Sequence, residues 1–190
     1  PKIDITNILN DISIRIKDFP YNKIKFRESL SKTYYLDAHW ALYCENYLEG
    51  FHVPFVHKNL TKQIDTKTYK TKILDNGILQ YATSKNKPTY IYYYWIFPNI
   101  MLNFYNWGLS VNIVEPLSIN KTRIKFLIFS ISDKNLKKSI DELNQVELED
   151  EEVVLNVQKG INSQAYNKGR YSVEHEKGVH YFHRLLASYI

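Results

Sequence analysis

Apolar positions alternate with hydroxyl, amide and charged ones through much of residues 66–132. A period of two places side chains on opposite faces of a sheet, and it predicts strands at 66–74, 78–84, 89–97, 109–115 and 122–131. Turn residues fall between them, at Asp75-Asn76-Gly77, Asn86-Lys87-Pro88 and Asn120-Lys121. Residues 24–37 also read as extended, with Ile24, Phe26 and Tyr34 among hydroxyls and charges. The pattern differs on either side of the strand region. Residues 39–49 lack Gly and Pro and predict a helix with Trp40, Tyr43, Tyr47 and Leu48 on its apolar side; Gly50 and Pro54 interrupt it. A long helix is expected from an Asp133 N-cap to about Ser163, with Ile140, Leu143, Val146, Val153, Val154, Val157 and Ile161 in one stripe. The tail, 169–190, is mixed. Strands flanked by helices at both ends predict an α+β fold, an antiparallel sheet wrapped on a long helix.

The length of 190 residues fits one domain, taken as 1–190. Composition removes several chemistries. The single cysteine, Cys44, excludes an intramolecular disulfide, a zinc site built on two or more thiolates, and any iron–sulfur cluster held by this chain alone. Cys44 itself is expected to be a small buried residue. The net charge of +5 comes mainly from lysines scattered among hydroxyl and amide residues, with only five Arg, which favours a solvated surface over nucleic-acid binding. The longest apolar run, Tyr90 to Pro98, is too short to span a membrane, and no signal peptide opens the chain, so a cytoplasmic location is expected. Pro1 at the start and Met101 as the only methionine suggest a processed or excised piece.

Two histidines, His52 and His57, lie in Glu45-Asn46-Tyr47-Leu48-Glu49-Gly50-Phe51-His52-Val53-Pro54-Phe55-Val56-His57. On a continuous helix they would point ~140° apart at ~100° per residue, and could not share an ion. Pro54 between them and Gly50 before them allow a distorted turn that aims both imidazoles inward. Two satisfied histidines packed beside Phe51 and Phe55 fit the same spacing. On the long helix, Asp150 projects near the centre of the apolar stripe, while Glu147, Glu149, Glu151 and Glu152 project toward its sides or the far face. A carboxylate there is costly unless it pairs with a buried Arg or Lys or binds a metal; the rarity of unpaired buried acids favours metal. Two His and one carboxylate form the facial triad of non-haem Fe(II) oxygenases, which leaves coordination positions open. A zinc hydrolase would use similar ligands with a general base beside them, a role open to Glu49, one helical turn before His52.

These residues resemble a known family. The run Asn46-Tyr47-x-Glu49-x-x-His52-x4-His57 is similar to the catalytic-domain signature of Rieske non-haem iron ring-hydroxylating oxygenase α subunits. Pro98-Asn99 with Met101-Leu102-Asn103 is a second match. A third comprises Glu149-Asp150, Val157-Gln158-Lys159-Gly160, Ser163, Ala165-Tyr166, Gly169-Arg170-Tyr171 and His180-x2-His183, and looks most like choline monooxygenases and related quaternary-ammonium oxygenases. The resemblance spans roughly residues 24–186. It implies a helix-grip (START/Bet v 1-like) fold and a mononuclear Fe(II) held by His52, His57 and Asp150, with O2 as co-substrate. Glu49 would be the acid that passes electrons from a Rieske [2Fe-2S] cluster to the His-bound iron, and Asn46 a polar neighbour of the iron. The wider family more often has Asp at the Glu49 position. Its usual Asn before the motif's Trp is His39 here, a change expected to affect packing only. The family's N-terminal Rieske domain is absent from this sequence, so the cluster is expected on a missing domain or another chain.

The implied reaction is reductive O2 activation followed by hydroxylation, or oxidative demethylation, of a small organic substrate, with a quaternary ammonium compound favoured. Partners implied are a reductase or ferredoxin electron donor and, for the full-length protein, a homotrimer. Aromatic-ring dihydroxylation and a non-catalytic helix-grip ligand-binding module are the alternatives. The strand at 89–97 would put Tyr90, Tyr92 and Tyr94 on one face and Tyr93, Trp95 and Phe97 on the other, most simply as core and sheet surface rather than a cation cage. His175, His180 and His183 are read as structural or surface residues.

Overall fold

Eight strands form one antiparallel sheet, with helices packed against both faces, in a computed structural model that describes residues 3–85 and 90–189. In chain order the principal elements are α1 (Thr6–Arg15), β1 (Lys25–Phe26), β2 (Lys32–Leu36), α2 (Trp40–Leu48), α3 (Val53–Val56), α4 (Leu60–Gln63), β3 (Lys70–Leu74), β4 (Gly77–Thr83), β5 (Tyr90–Ile96), β6 (Ile100–Tyr105), β7 (Gly108–Ser118), β8 (Lys121–Ser130), α5 (Leu136–Ile161) and α6 (Lys177–Ala187). The sheet order is β1-β8-β7-β6-β5-β4-β3, and β2 also pairs with β8. From β3 to β8 every strand pairs with its sequence neighbour, so short turns build most of the sheet. In the β3–β4 turn, Asn76 has φ 57°, a left-handed conformation that Asn tolerates better than most side chains.

The alternation predicted for β4 and β5 sorts their side chains onto two cores. Ile78, Trp95, Phe97 and Met101 pack with Ala41, Leu42, Cys44 and Leu48 of α2, Val154 of α5, and Val179 and Phe182 of α6. On the opposite face, Leu79, Tyr94, Ile96 and Phe104 meet Ile8 and Ile12 of α1, with Ile16 just beyond it. Cys44 is fully buried, and burial pushes its thiol pKa up. A side chain on Gly178 would lie 2.6 Å from the Leu48 carbonyl oxygen, so α6 approaches the end of α2 as closely as a glycine permits.

The helix-grip expectation holds, with corrections in its elements. β6 was not predicted: Pro98-Asn99 punctuates the run, and Asn103 sits buried within it beside apolar neighbours, obscuring the alternation. The peptide before Pro98 is cis. α6 lies inside the tail read as mixed, and α1 lies before the first segment given a prediction. The helix predicted for 134–163 begins at Leu136, with Asn135 and not Asp133 at its cap position; the Asp133 carboxylate instead takes an Arg27 Nη2 hydrogen bond at 2.5 Å. Val157 is 43% exposed, so the buried stripe of α5 is narrower than predicted and carries Asn144, Glu147 and Gln158. His39 does more than pack: its Nδ1 accepts the Ala41 N–H at 3.3 Å as the N-cap of α2, and its own N–H donates to Gln158 Oε1 at 2.7 Å. The predicted turn at Asn86-Lys87-Pro88 lies outside the described residues.

Candidate metal centre

The segment after α2 is shaped by three backbone-specific residues. Glu49 closes the helix, and its carboxylate turns back to accept the N–H groups of Phe51 and His52. A Cβ on Gly50 would lie 2.4 Å from the Tyr69 ring, so only glycine lets the chain pass there without moving that ring. Pro54 then sits in the first turn of α3, where its missing N–H costs nothing. This four-residue helix has His52 at its N-cap position and His57 at its C-cap position. The break in the helix therefore brings together two rings that a continuous helix would separate. Their Nε2 atoms are 3.0 Å apart.

Across from them, α5 presents Asp150, whose Oδ1 lies 3.0 Å from His57 Nε2 and 3.3 Å from His52 Nε2. The three donors thus form a triangle with sides of 3.0–3.3 Å. Ligands bonded to a first-row ion at ~2.1 Å would be roughly 3.0 Å apart on an octahedral face and roughly 3.4 Å apart around a tetrahedron. The triangle lies nearer the octahedral value, and the donor set of two imidazoles and one carboxylate suits iron. Among the described residues, His52, His57 and Asp150 are the cluster of His, Cys, Asp or Glu side chains able to share an ion.

Each donor of the triangle is held from behind. Glu49 contacts His52 Nδ1, and Glu149 Oε2 lies 2.8 Å from His57 Nδ1. Carboxylates at both Nδ1 atoms favour protonation there and leave Nε2 lone pairs for an ion. Asn46 Nδ2 donates to Asp150 Oδ1 at 2.6 Å, fixing the carboxylate across the α2–α5 contact. Without an ion, the charges settle on the protein itself. Burial opposes a charge on His52, but the Asp150 and Glu49 carboxylates outweigh it and raise its pKa to about 9. Burial likewise opposes the Asp150 charge, yet the two imidazoles hold its pKa below the usual carboxylate value. An arriving cation would displace those protons.

The triad opens on a cavity of about 1020 Å³ whose walls include Tyr43, Tyr69, Tyr93, Tyr105, Trp107 and Glu147. Tyr105 stacks on Trp107 with centroids 4.9 Å apart, and Tyr93 meets Tyr105 edge-on at 6.0 Å. Behind these rings runs a polar seam: Asn112 Nδ2 donates to Tyr43 Oη at 3.1 Å, and Tyr47 Oη donates to Asn103 Oδ1 at 2.7 Å.

The acid run on α5 corrects two sequence expectations. Glu147, projected to the side of the helix, is only 4% exposed, and Tyr43 Oη donates to its two oxygens at 2.7 Å each. Burial first, and then the Asp150 charge, push its carboxyl pKa up to about 8. Glu149 also turns toward the site, through His57. Its role was foreshadowed by one signal: a ligating imidazole requires a partner for its second nitrogen, and Glu149 adjoins the third ligand candidate. Glu49 contacts the Nδ1 side of His52, away from the triangle, which removes it as the base a zinc hydrolase would need beside the ion. Tyr93 lines the cavity while Tyr92 and Tyr94 face away, so one face of β5 is cavity wall as well as core. His175 stacks on Phe51, and His183 Nε2 pairs with Glu45 at 2.7 Å; both are structural, as expected.

Residues 77–190 match the ring-hydroxylating α subunit (catalytic domain) family. The chain belongs to this family. Among curated relatives, it is 35% identical over 184 residues to choline monooxygenase, chloroplastic, of Arabidopsis thaliana, covering 89% of this chain and 42% of that protein. The corresponding protein of Amaranthus tricolor is 32% identical over 162 residues, covering 78% of this chain and 37% of that one. Among solved structures, a quaternary ammonium Rieske monooxygenase superposes with a TM-score of 0.78 at 23% identity, covering 96% of this chain and 53% of the other. Naphthalene 1,2-dioxygenase shares the fold at a TM-score of 0.67 and 11% identity, over 94% of this chain and 58% of its own. The chain thus spans about two-fifths of the curated relatives' length and about half that of the solved ones. No described helix is long and apolar enough to cross a membrane.

Proposed function

We propose that these 190 residues are the catalytic domain of an oxygenase that binds one mononuclear iron through His52, His57 and Asp150 and hydroxylates a quaternary ammonium compound. The observation that carries this is the 3.0–3.3 Å donor triangle on the wall of a cavity that tyrosine and tryptophan side chains also line. When bound, the iron would supply O2 activation with external electrons, using the positions the protein leaves open. The chain's own residues do the rest. Glu49 and Glu149 hold the Nδ1 protons of the two ligating rings. Asn46 orients the Asp150 carboxylate. Tyrosine and tryptophan faces on the cavity wall suit an alkylammonium head, each contact contributing ~0.5–2 kcal/mol. Hydroxylation of a carbon beside the ammonium nitrogen would give a carbinolamine that collapses to an aldehyde and an amine.

The substrate class is also supported by the relatives: curated choline monooxygenases, and solved structures of CntA with L-carnitine and with gamma-butyrobetaine. Electrons must come from elsewhere. A Rieske cluster takes two Cys and two His, and this sequence has one cysteine. We infer that the cluster lies on another domain or subunit and delivers electrons through Glu49 to His52, a reading supported by the inter-subunit electron transfer named for a solved relative. A homotrimer and a reductase or ferredoxin donor belong to the same proposal. Anaerobic reconstitution with Fe(II), followed by a binding screen of amines against aromatic acids, tests it: saturable ammonium binding supports the assignment, and selective binding of aromatic acids overturns the substrate class.

A further inference from the structure

Glu147 has no place in the triad, yet it shares a cavity wall with it. It lies one helical turn before Asp150 on α5, lines the same cavity and is buried. Tyr43 Oη, on α2, sits 2.7 Å from both of its carboxyl oxygens and accepts the Asn112 Nδ2 hydrogen bond at 3.1 Å. A neutral carboxylic acid fits this closed arrangement: its carbonyl oxygen accepts the phenol hydrogen, and its own O–H donates to the phenol oxygen. The other ionisable groups facing it are Tyr34 of β2, Tyr105 of β6, and Asp150 and Glu151 of α5, none of them a cation. Burial, the larger cause of its raised pKa of about 8, acts whether or not the triad holds an ion. Its neighbours on the wall are poorer proton donors. The Nδ1 sides of His52 and His57 are taken by Glu49 and Glu149, and Asp150, despite its burial, is held ionised by the two imidazoles. Burial pushes the hydroxyls of Tyr43, Tyr69 and Tyr105 well above the usual phenol pKa.

We propose that Glu147 is the proton donor of the oxygenase reaction, passing its carboxyl hydrogen into the cavity to dioxygen as it is reduced beside Asp150. Hydroxylation consumes one C–H bond, one O2, two electrons and two protons, and yields one C–O–H group and one water. A Rieske-type donor supplies the electrons. In each proton step a Glu147 O–H bond breaks and an O–H bond to an atom of the dioxygen forms. The carboxylate left behind keeps the Tyr43 hydrogen bond until water in the cavity returns a proton to it. The inference rests on His52, His57 and Asp150 as the iron site and is independent of which substrate is hydroxylated.

Infrared spectroscopy of the Fe(II)-loaded protein near neutral pH, with nitric oxide as a stand-in for dioxygen, tests this without turnover. Wild type is expected to show a carboxylic-acid carbonyl band that shifts when nitric oxide binds and is absent from Glu147→Gln. Iron content and melting temperature establish that the variant is folded; should it not fold, Glu147→Asp, which moves the band without deleting it, makes the assignment. With a Rieske-type electron donor supplied and choline as the probe substrate, Glu147→Gln is expected to turn over about 100-fold or more slowly at unchanged iron content and choline affinity. Glu147→Asp should recover part of the loss. Iron-loaded wild type that lacks the band, or whose band nitric oxide leaves unmoved, overturns the inference and leaves the triad standing. Turnover of Glu147→Gln at the wild-type rate overturns the inference in the same way. Wild-type protein that holds no iron overturns the triad reading and this inference together.

Discussion

Glu149 and Glu49 each use a carboxylate to hold the Nδ1 side of a histidine whose Nε2 faces Asp150. Support of this kind usually matters nearly as much as the ligand itself: Glu149→Ala is expected to weaken Fe(II) binding about 10–100-fold with the fold retained, measured by equilibrium dialysis. Glu147 gives a second prediction. Its carboxyl is raised from 4.5 to about 8, so between those values the folded protein keeps a proton that the unfolded chain releases. Stability from this group is full below about pH 4.5 and falls as pH rises toward 8. Melting temperatures of the metal-free protein across that range should decline more steeply for wild type than for Glu147→Gln; parallel profiles would contradict the shift. His52, His57 and Asp150 were legible in the sequence because their spacing and helix projection single them out. Glu147 and Glu149 were not, because in the run Glu147-Leu148-Glu149-Asp150-Glu151-Glu152 periodicity ranks positions by angle alone. Which acids turn inward is decided by Tyr43 and His57, on other elements.

α2 and α5 meet through a polar seam, with His39 bonded to Gln158, Tyr43 to Glu147 and Asn46 to Asp150. The apolar stripe read for the long helix is buried or half-buried except at Val157; what the pattern could not show is that Asn144, Glu147 and Gln158 also turn inward, because hydrogen bonds from other elements hold them there. The strands were legible where alternation was clean, as in β4, β5, β7 and β8. β6 was obscured by a buried Asn103 that serves the Tyr47 hydroxyl. α6 is held against α2 at Gly178, where a methyl group would meet the Leu48 carbonyl. Gly178→Ala should therefore destabilise the protein by about 1–3 kcal/mol, read by denaturant unfolding, because α6 must shift off its contact. An unchanged midpoint would show that the helix can slide without loss.

At the scale of the molecule, the sheet and its helices frame a metal-sized triangle on the wall of a large aromatic-lined cavity, while the sequence lacks the cysteines for a partner cluster. The iron-loaded chain with substrate and O2 should show no sustained oxygen uptake alone, and should gain it when a Rieske-type electron donor is supplied. Continued turnover without such a donor would refute the divided arrangement. The triad itself is tested most directly by iron stoichiometry after anaerobic reconstitution and desalting, comparing wild type with Asp150→Ala. Wild type should retain about one iron per chain and the variant almost none, since a facial triad reduced to two histidines loses a third of its protein ligands. Full iron occupancy in a folded Asp150→Ala protein would contradict the assignment of His52, His57 and Asp150 as the metal centre.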